Sequence, residues 1–286
     1  MLERLGLPAP LPSDAPASVA NIRRNARAEL DRGARWAGMR DACQAFLADY
    51  VGHGDRVAIV GAGNGDDLPL RWLAARAGRI DLFDLDVDAL RTARQRLAWR
   101  LGRRVRVCAL DITDGAADSV VRAARDGKTT VFLSPTTEPL SDAPYDLVVG
   151  DLLYSQLLSP ALGDIDLDDR TSVEVLSRHG QRLTDAAVAR MHASAPRGVV
   201  VHLHDPLAWW PGHEHAFTIE EALDRAAHDP DPAYVLAGAV GPIGCDPRAA
   251  LASERILRTA WWRWPFAPEV VYLVCATAVA PGPRHR

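Results

Sequence analysis

Val57-Ala58-Ile59-Val60-Gly61-Ala62-Gly63-Asn64-Gly65-Asp66-Asp67-Leu68-Pro69-Leu70 runs from four apolar residues into three alternate glycines and then toward a proline. An apolar run of that length reads as a buried strand, and a proline just inside the following segment suits the first turn of a helix. Glycines are wanted between the two because the chain must turn sharply and let a ligand approach its backbone, while the helix N-terminus offers free N–H groups. A dinucleotide fingerprint needs a further glycine three positions after the second, where this chain has Asp66. A carboxylate there repels a pyrophosphate, so NAD is disfavoured. The spacing Gly61, Gly63, Gly65 suits a nucleoside carrying a zwitterionic amino-acid tail.

Working outward, Arg56 to Val60, Ile80 to Phe83, Val105 to Ala109, Leu147 to Val149 and Val199 to Leu203 read as strands. Helical segments are expected near Leu68 to Ala77, Val87 to Leu101, Ala116 to Asp126, Val173 to Ala195 and Ile219 to Ala227. Such alternation implies an open parallel sheet with right-handed crossovers and helices on both faces. Beyond it, Tyr234 to Val240 and Val270 to Val279 read as a strand pair added antiparallel at one edge, with a helix-like run from Arg248 to Trp262 between them. Ahead of it, Ala17 to Tyr50 reads as helical with interruptions at Gly33 and Gly38. Ile22, Leu30, Trp36, Cys43, Phe46 and Leu47 are spaced there for one buried stripe. Acids close successive strands. Asp84 follows the second strand about twenty residues after the glycines, where a carboxylate accepts ribose hydroxyls, and Asp86 is its close alternative. Asp111-Ile112-Thr113 follows the third, and Asp151 the fourth. Ligands of such sheets bind outside the strand carboxyl ends, so these positions converge on one cleft.

The composition is that of a globular protein: 286 residues, 48% hydrophobic, 33 basic against 37 acidic side chains and a net charge of −4. That balance supplies no counterion-release drive toward nucleic acid, and no nucleic-acid partner is expected. No apolar run reaches the roughly 18 residues of a membrane span, and no secretory signal is visible, so a cytoplasmic location without membrane association is expected. Pro8 to Pro16 and Pro281 to Pro283 read as frayed ends. Cys43, Cys108, Cys245 and Cys275 lack metal-ligand or redox spacing and read as reduced core residues. Only Lys128 among the basic residues is lysine, which fits a bacterial GC-rich genome better than a phosphate-binding surface.

With these four segments in order, the chain resembles the class I S-adenosylmethionine-dependent methyltransferases over roughly Arg56 to Val279. The resemblance implies a Rossmann-like, mostly parallel seven-stranded sheet whose last strand is antiparallel. It divides the chain into an N-terminal helical cap, 1–55, and a methyltransferase domain, 56–286, with inserts near 155–175 and 241–268. It implies S-adenosyl-L-methionine as cofactor and S-adenosyl-L-homocysteine as product, held by Gly61, Gly63, Gly65, Asp84, Asp86, Asp111, Ile112 and Asp151. The acid usual two positions before the first glycine is Ile59 here; Asp66, Asp67 or Asp151 can take its place. A further similarity, to methyltransferases of ribosomal-peptide pathways such as the daptide type, implies natural-product biosynthesis.

Asp151-Leu152-Leu153-Tyr154 keeps the acid and aromatic ends of the Asp/Asn-Pro-Pro-Tyr element of amine-methylating members. On that reading Asp151 and Tyr154 are catalytic, the acid holding an amine N–H and the ring packing against a methylammonium. The acceptor is then an amine on a small metabolite or peptide, and the enzyme a monomer or homodimer. His202, His204, His213 and His215 gather after the fifth strand; imidazoles there could suit a metal, but adjacent strand-face histidines are more often hydrogen-bonded structural residues, and no metal is expected. His204 or Asp205 remains a candidate general base, which leaves O-methylation open. A protein that binds the cofactor without catalysis is the alternative of another class, while aminopropyl transfer lacks its paired acids. Trp209, Trp210, Trp261, Trp262 and Trp264 read as a lid, a subunit contact or core. Asp164 to Asp169 reads as a solvated loop or an attractor of basic substrates, and Asn21, Arg24 and Trp36 as a cover for the cofactor or the sheet.

Overall fold

The computed structural model describes residues 15–26, 31–165, 167–213 and 215–281. Of the expected frayed ends, residues 8–14 and those after Pro281 lie outside the described residues, as do Leu30, Asp166, Glu214 and the side chain of Arg24. Five apolar runs form parallel strands, Arg56–Val60 (β1), Arg79–Asp84 (β2), Val105–Ala109 (β3), Leu147–Asp151 (β4) and Val199–Trp209 (β5). Ile256–Ala267 (β6) and Val270–Val279 (β7) complete a seven-stranded sheet in the order β3-β2-β1-β4-β5-β7-β6. β7 runs antiparallel to both of its neighbours. Strand order reverses direction between β1 and β4, which opens a crevice above their carboxyl ends.

The helices follow in chain order: Pro16–Ala26 (α1), Arg32–Arg35 (α2) and Ala37–Leu47 (α3) precede β1. Leu70–Arg76 (α4) joins β1 to β2, while Val87–Gln95 (α5) and Trp99–Gly102 (α6) join β2 to β3. Ala116–Arg125 (α7) leads toward β4, and Ser159–Gly163 (α8), Asp169–Val175 (α9) and Gln181–Ser194 (α10) lie between β4 and β5. Ile219–His228 (α11) and Pro232–Val235 (α12) follow β5. Successive strand side chains face opposite ways, so β1 feeds two cores. Ala58 and Val60 join the layer under α7, α8 and α10, and Val57 and Ile59 join the layer under α3, α4 and α5. Covering both faces is what makes a parallel strand such as β4 buried along its whole length.

The last third differs from the sequence reading. Tyr234 to Val240 is not a strand, because Pro232 and the Asp231 cap start a single helical turn instead. Arg248 to Trp262 is not a helix. Pro247–Leu251 is a short 3-10 turn and β6 begins at Ile256, paired along β7, so the expected 241–268 insert contains a full sheet strand. Trp262 and Trp264 point into the core with Arg263 outside between them, a two-residue period that pairing with β7 imposes. Gly33 and Gly38 lie inside α2 and α3 and break neither, and Ile22 is 48% exposed rather than part of the buried stripe. Expected Val87 to Leu101 is broken into α5 and α6 by the extended backbone of Ala98. Between α9 and α10 the helix loosens into a π turn, Leu176–Gly180, where a Cβ on Gly180 would stand 2.6 Å from the Gly244 carbonyl oxygen.

Candidate functional site

After β1 the chain turns through Gly61, Gly63 and Gly65 at φ +82°, +45° and +61°, a region closed to most side chains. Gly61 is also a point of close approach. A Cβ there would lie 2.9 Å from both the Asp151 carbonyl oxygen and the Leu153 Cβ. Asp84, at the end of β2, ties the loop down, accepting from the Gly63 N–H at 2.9 Å and the Asp86 N–H at 2.8 Å. α1 covers the loop from above: Asn25 donates to Asp86 at 3.0 Å, and Asn64 donates to the Asn25 carbonyl at 3.2 Å.

Two adjoining hollows lie on this loop. The larger, about 110 Å³, is bordered by the glycines, Asp67, Asp84, Asp151, Asp205 and the rings of Trp36 and Trp264. The second, about 50 Å³, continues past Asp84 and is floored by Phe83, Leu110, Asp111, Ile112 and Leu153. Asn21, Gly61, Asp84 and Gln156 line both, which makes them one cleft with a polar and an apolar end.

The polar end concentrates buried acid. Asp151 is 2% exposed and its Oδ1 has no hydrogen-bond partner. Burial, and then the nearby Asp67 and Asp84, hold its carboxyl well above the usual carboxylate range. Burial likewise pushes Asp84 up to about 6, and burial with the adjacent Asp66 pushes Asp67 up to about 6. Facing them is an aromatic wall. Trp264 meets Trp36 and Phe266 edge-on at 5.1 and 5.0 Å and Tyr272 at a tilt at 5.4 Å, and its indole N–H has no partner. The Trp36 indole donates to the Phe266 carbonyl at 3.2 Å, fastening the N-terminal helices to the β6–β7 hairpin.

The expected site residues divide. Gly61, Gly63, Gly65, Asp84, Asp111, Ile112 and Asp151 line the cleft. Asp86 does not; its carboxylate caps α5 through the Asp88 and Ala89 N–H groups and accepts from Asn25. Asp111 folds its own loop as well, accepting from the Thr113 N–H and hydroxyl and from the Gly115 N–H. Ile59 is fully buried in the layer under α3 and does not border the cleft, whereas Asp67 and Asp151 do. Asp66 is turned to Arg32 and Arg96.

Tyr154 is the larger correction. Leu152 adopts φ +49°, which a proline ring forbids, so the turn after β4 takes a path that the proline-bearing element cannot follow. That path drives Tyr154 into the core under α10, 2% exposed, where its hydroxyl meets His202 Nδ1. His202 Nε2 in turn lies 3.0 Å from His192 Nε2. Tyr154 does not border the cleft. Nor does His204, which faces a separate cavity and which burial and the nearby Arg248 push down to about 4, far from a general base at neutral pH. His213 stacks on Trp210 at 4.0 Å, and no group of three or more His, Cys, Asp or Glu suited to a metal occurs among the described residues. All four cysteines are free. Of the late tryptophans, Trp264 reaches the cleft, Trp262 fills core, and Trp210 is 46% exposed. In the acidic run, Asp164 pairs with Arg23 and Asp168 caps α9. Asn25, Ser155, Gln156, Phe266 and Tyr272 border or brace the cleft without any sequence motif to mark them.

Four parallel crossovers, a reversal between β1 and β4, and an antiparallel β7 inserted between β5 and β6 form a distinctive sheet. It is the mostly parallel seven-stranded α/β sheet with an antiparallel member that the resemblance in sequence implies. No family model matches the chain, and no curated protein matches it. Among solved structures it is similar to a SAM-dependent methyltransferase from Aquifex aeolicus, at 12% identity and TM-score 0.40 over 93% of this chain and 98% of that one. The glycopeptide N-methyltransferase MtfA complexed with S-adenosyl-L-methionine is 14% identical, with TM-score 0.41 over 85% and 87%. DhpI in its SAH complex is 15% identical, with TM-score 0.42 over 96% and 100%. No described helix is long and apolar enough to cross a membrane.

Proposed function

We propose that the protein is an S-adenosylmethionine-dependent methyltransferase whose acceptor is an amine of a small molecule or peptide. The observation that carries this reading is the trio of carboxyls around one glycine loop, Asp84 and Asp151 buried and Asp67 half-buried, with Asp151 Oδ1 unpartnered. Like charges crowded out of water are costly on their own and become favourable beside a cation. S-adenosylmethionine fits that demand: when bound, it supplies a sulfonium-activated methyl group on a nucleoside with an amino-acid tail.

The chain's own residues then have distinct tasks. Asp84 keeps lone pairs beyond its two backbone donors for ribose hydroxyls, and the apolar end by Leu110, Asp111 and Ile112 suits the adenine. The glycine turn leaves room for the ligand against the main chain. Asp67 and Asp151 neutralise positive charge at the polar end. A neutral-pH amine arrives as an ammonium ion and must shed a proton to present its lone pair, and the raised affinity of Asp151 for a proton suits Oδ1 to receive it. Trp36 and Trp264 offer ring faces to the methylammonium product and exclude water.

Calorimetry with S-adenosylmethionine and S-adenosylhomocysteine, joined to transfer of labelled methyl to an amine panel, tests the reading. Asp84→Ala should weaken cofactor binding about 10- to 100-fold, the worth of hydrogen bonds to a charged group. Asp151→Asn should lower turnover more than it lowers cofactor affinity. Undetectable binding of both compounds, or turnover confined to hydroxyl acceptors, would sink it.

A further inference from the structure

Seven of the chain's 33 basic residues fall within Arg91 to Arg106, and no acid occurs from Ala89 to Leu110. The chain's preference for arginine over lysine explains which basic residue is used, not why so many gather around α5, α6 and the start of β3. Four of the seven are engaged within the fold. Arg91 pairs with Asp88 at 2.7 Å, Arg96 with Asp66, and Arg106 with Asp81 at 3.1 Å and with Asp142. Arg104 donates to the Ala74, Ala75 and Ala77 carbonyls at the end of α4. Arg94, Arg100 and Arg103 are exposed and pair with no acid among the described residues. They share one surface. The Arg94 stem packs on α6, where a Cβ on Gly102 would lie 3.9 Å from its Cγ. Arg100 and Arg103 hold their guanidinium carbons 5.5 and 5.9 Å from the ring centre of Trp99, itself 67% exposed. Like charges gathered this way repel, and a counter-charge from outside relieves them.

The kind of anion follows from what lies beside this surface. Arg96 joins it to the cleft, donating to the Asn64 carbonyl at 3.4 Å and pairing with Asp66, and both Asn64 and Asp66 border the cleft. The cleft has the opposite sign: five aspartates, Asp66, Asp67, Asp84, Asp151 and Asp205, border it against one basic residue, Arg32. A molecule that spans both must therefore be positive at one end and negative farther along. Nucleic acid and an anionic membrane are negative throughout and are repelled at the cleft. The Trp99 ring, already flanked by guanidiniums, also lacks the open face on which a base stacks. A peptide with an amine at one end and carboxylates beyond it meets both demands, and guanidinium–carboxylate pairing supplies the recognition.

We propose that the arginine surface of α5 and α6 binds an acidic segment of the methyl acceptor, a peptide whose amine enters the cleft. The inference rests on the amine-methylation reading for what occupies the cleft, but the acidic segment binds whether or not transfer follows.

Two measurements separate them. In the first, fluorescence anisotropy follows a labelled, N-acetylated peptide of alternating glutamate and glycine, which has no amine to methylate. It should bind the wild-type protein, less tightly as salt rises, while its glutamine counterpart does not bind. Combining Arg94→Gln, Arg100→Gln and Arg103→Gln should weaken binding about 10-fold, the worth of three exposed ion pairs together. Removing three positive charges on and just after α7, with Arg122→Gln, Arg125→Gln and Lys128→Gln, should leave it unchanged. Equal affinity for S-adenosylhomocysteine in all three proteins guards against a folding defect. In the second, a peptide whose free amine is followed by glutamates should exceed its glutamine counterpart in kcat/KM as methyl acceptor, and only the α5–α6 variant should lose that advantage. Acetylated-peptide binding lost only in the α5–α6 variant while no amine is methylated keeps the surface assignment and removes the amine reading. Equal binding to all three proteins, no binding to the wild type, or tighter binding of single-stranded RNA or phosphatidylserine vesicles overturns the surface assignment.

Discussion

Asp151 shows how one residue is shaped by neighbours far away in sequence. Its carboxyl is deprived of water, accepts no hydrogen bond at Oδ1, and sits near Asp67 and Asp84. Asp67 and Asp84 titrate at about 6, against about 3.9 for an ordinary aspartate. With folded-state values raised above the unfolded ones, the ligand-free protein binds extra protons between about pH 4 and 6. Its stability therefore falls as pH rises through that window. A cationic ligand reverses the preference by favouring the carboxylates. Affinity for S-adenosylmethionine should accordingly rise from pH 5 to about 7 and then level off, with protons released on binding near pH 6. Calorimetry across pH, in buffers of different ionisation enthalpy, measures both; a flat profile would mean that these acids do not meet the ligand.

At the level of elements, the turn after β4 sets which side chains face the cleft. Leu152 holds a left-handed conformation, donates its N–H to the Leu203 carbonyl at 3.0 Å, and accepts from Gln156 at 2.8 Å. Writing the missing proline back, as Leu152→Pro, should lower stability by about 3 kcal/mol or more, because the ring forbids this φ and removes the N–H. Thermal unfolding checks it, and an unchanged melting temperature would contradict the turn described. The same turn commits Tyr154 to joining β4, β5 and α10. Burial raises the Tyr154 hydroxyl and lowers His202, so both are neutral and the hydroxyl donates to Nδ1. Tyr154→Phe strands that nitrogen. It should cost about 1–3 kcal/mol in denaturant unfolding and leave affinity for S-adenosylhomocysteine unchanged.

Across the whole molecule, the cleft is closed by segments from both ends of the chain. α1 supplies Asn21 and Asn25, the segment between α2 and α3 supplies Trp36, and the β6–β7 hairpin supplies Trp264, Phe266 and Tyr272. Arg258 pairs with Asp49 at 2.6 Å, and the Trp262 indole meets the Met39 sulfur, along the same seam. If the aromatic wall serves the acceptor cation, Trp264→Leu should raise KM for an amine several-fold, since a cation–π contact contributes about 0.5–2 kcal/mol. Affinity for S-adenosylhomocysteine should fall less. Steady-state kinetics beside calorimetry reads the split; equal losses in both would place the wall around the cofactor instead.

The sequence by itself determined the alternation of strands and helices, the glycine turn, and the acids at strand tips, since each depends on local periodicity and on spacing along one segment. β1 and β3 have the bounds expected of them, and Asp84, Asp111 and Asp151 reach the cleft. Only the tertiary structure decided that Asp86 is a helix cap, that Tyr154 turns inward, and that β6 is a strand where a helical run was expected. Pairing energy from β7 and the left-handed Leu152 outweigh local preference there. The aromatic wall was equally hidden, because residues more than two hundred positions apart become neighbours only when the sheet brings its edges together.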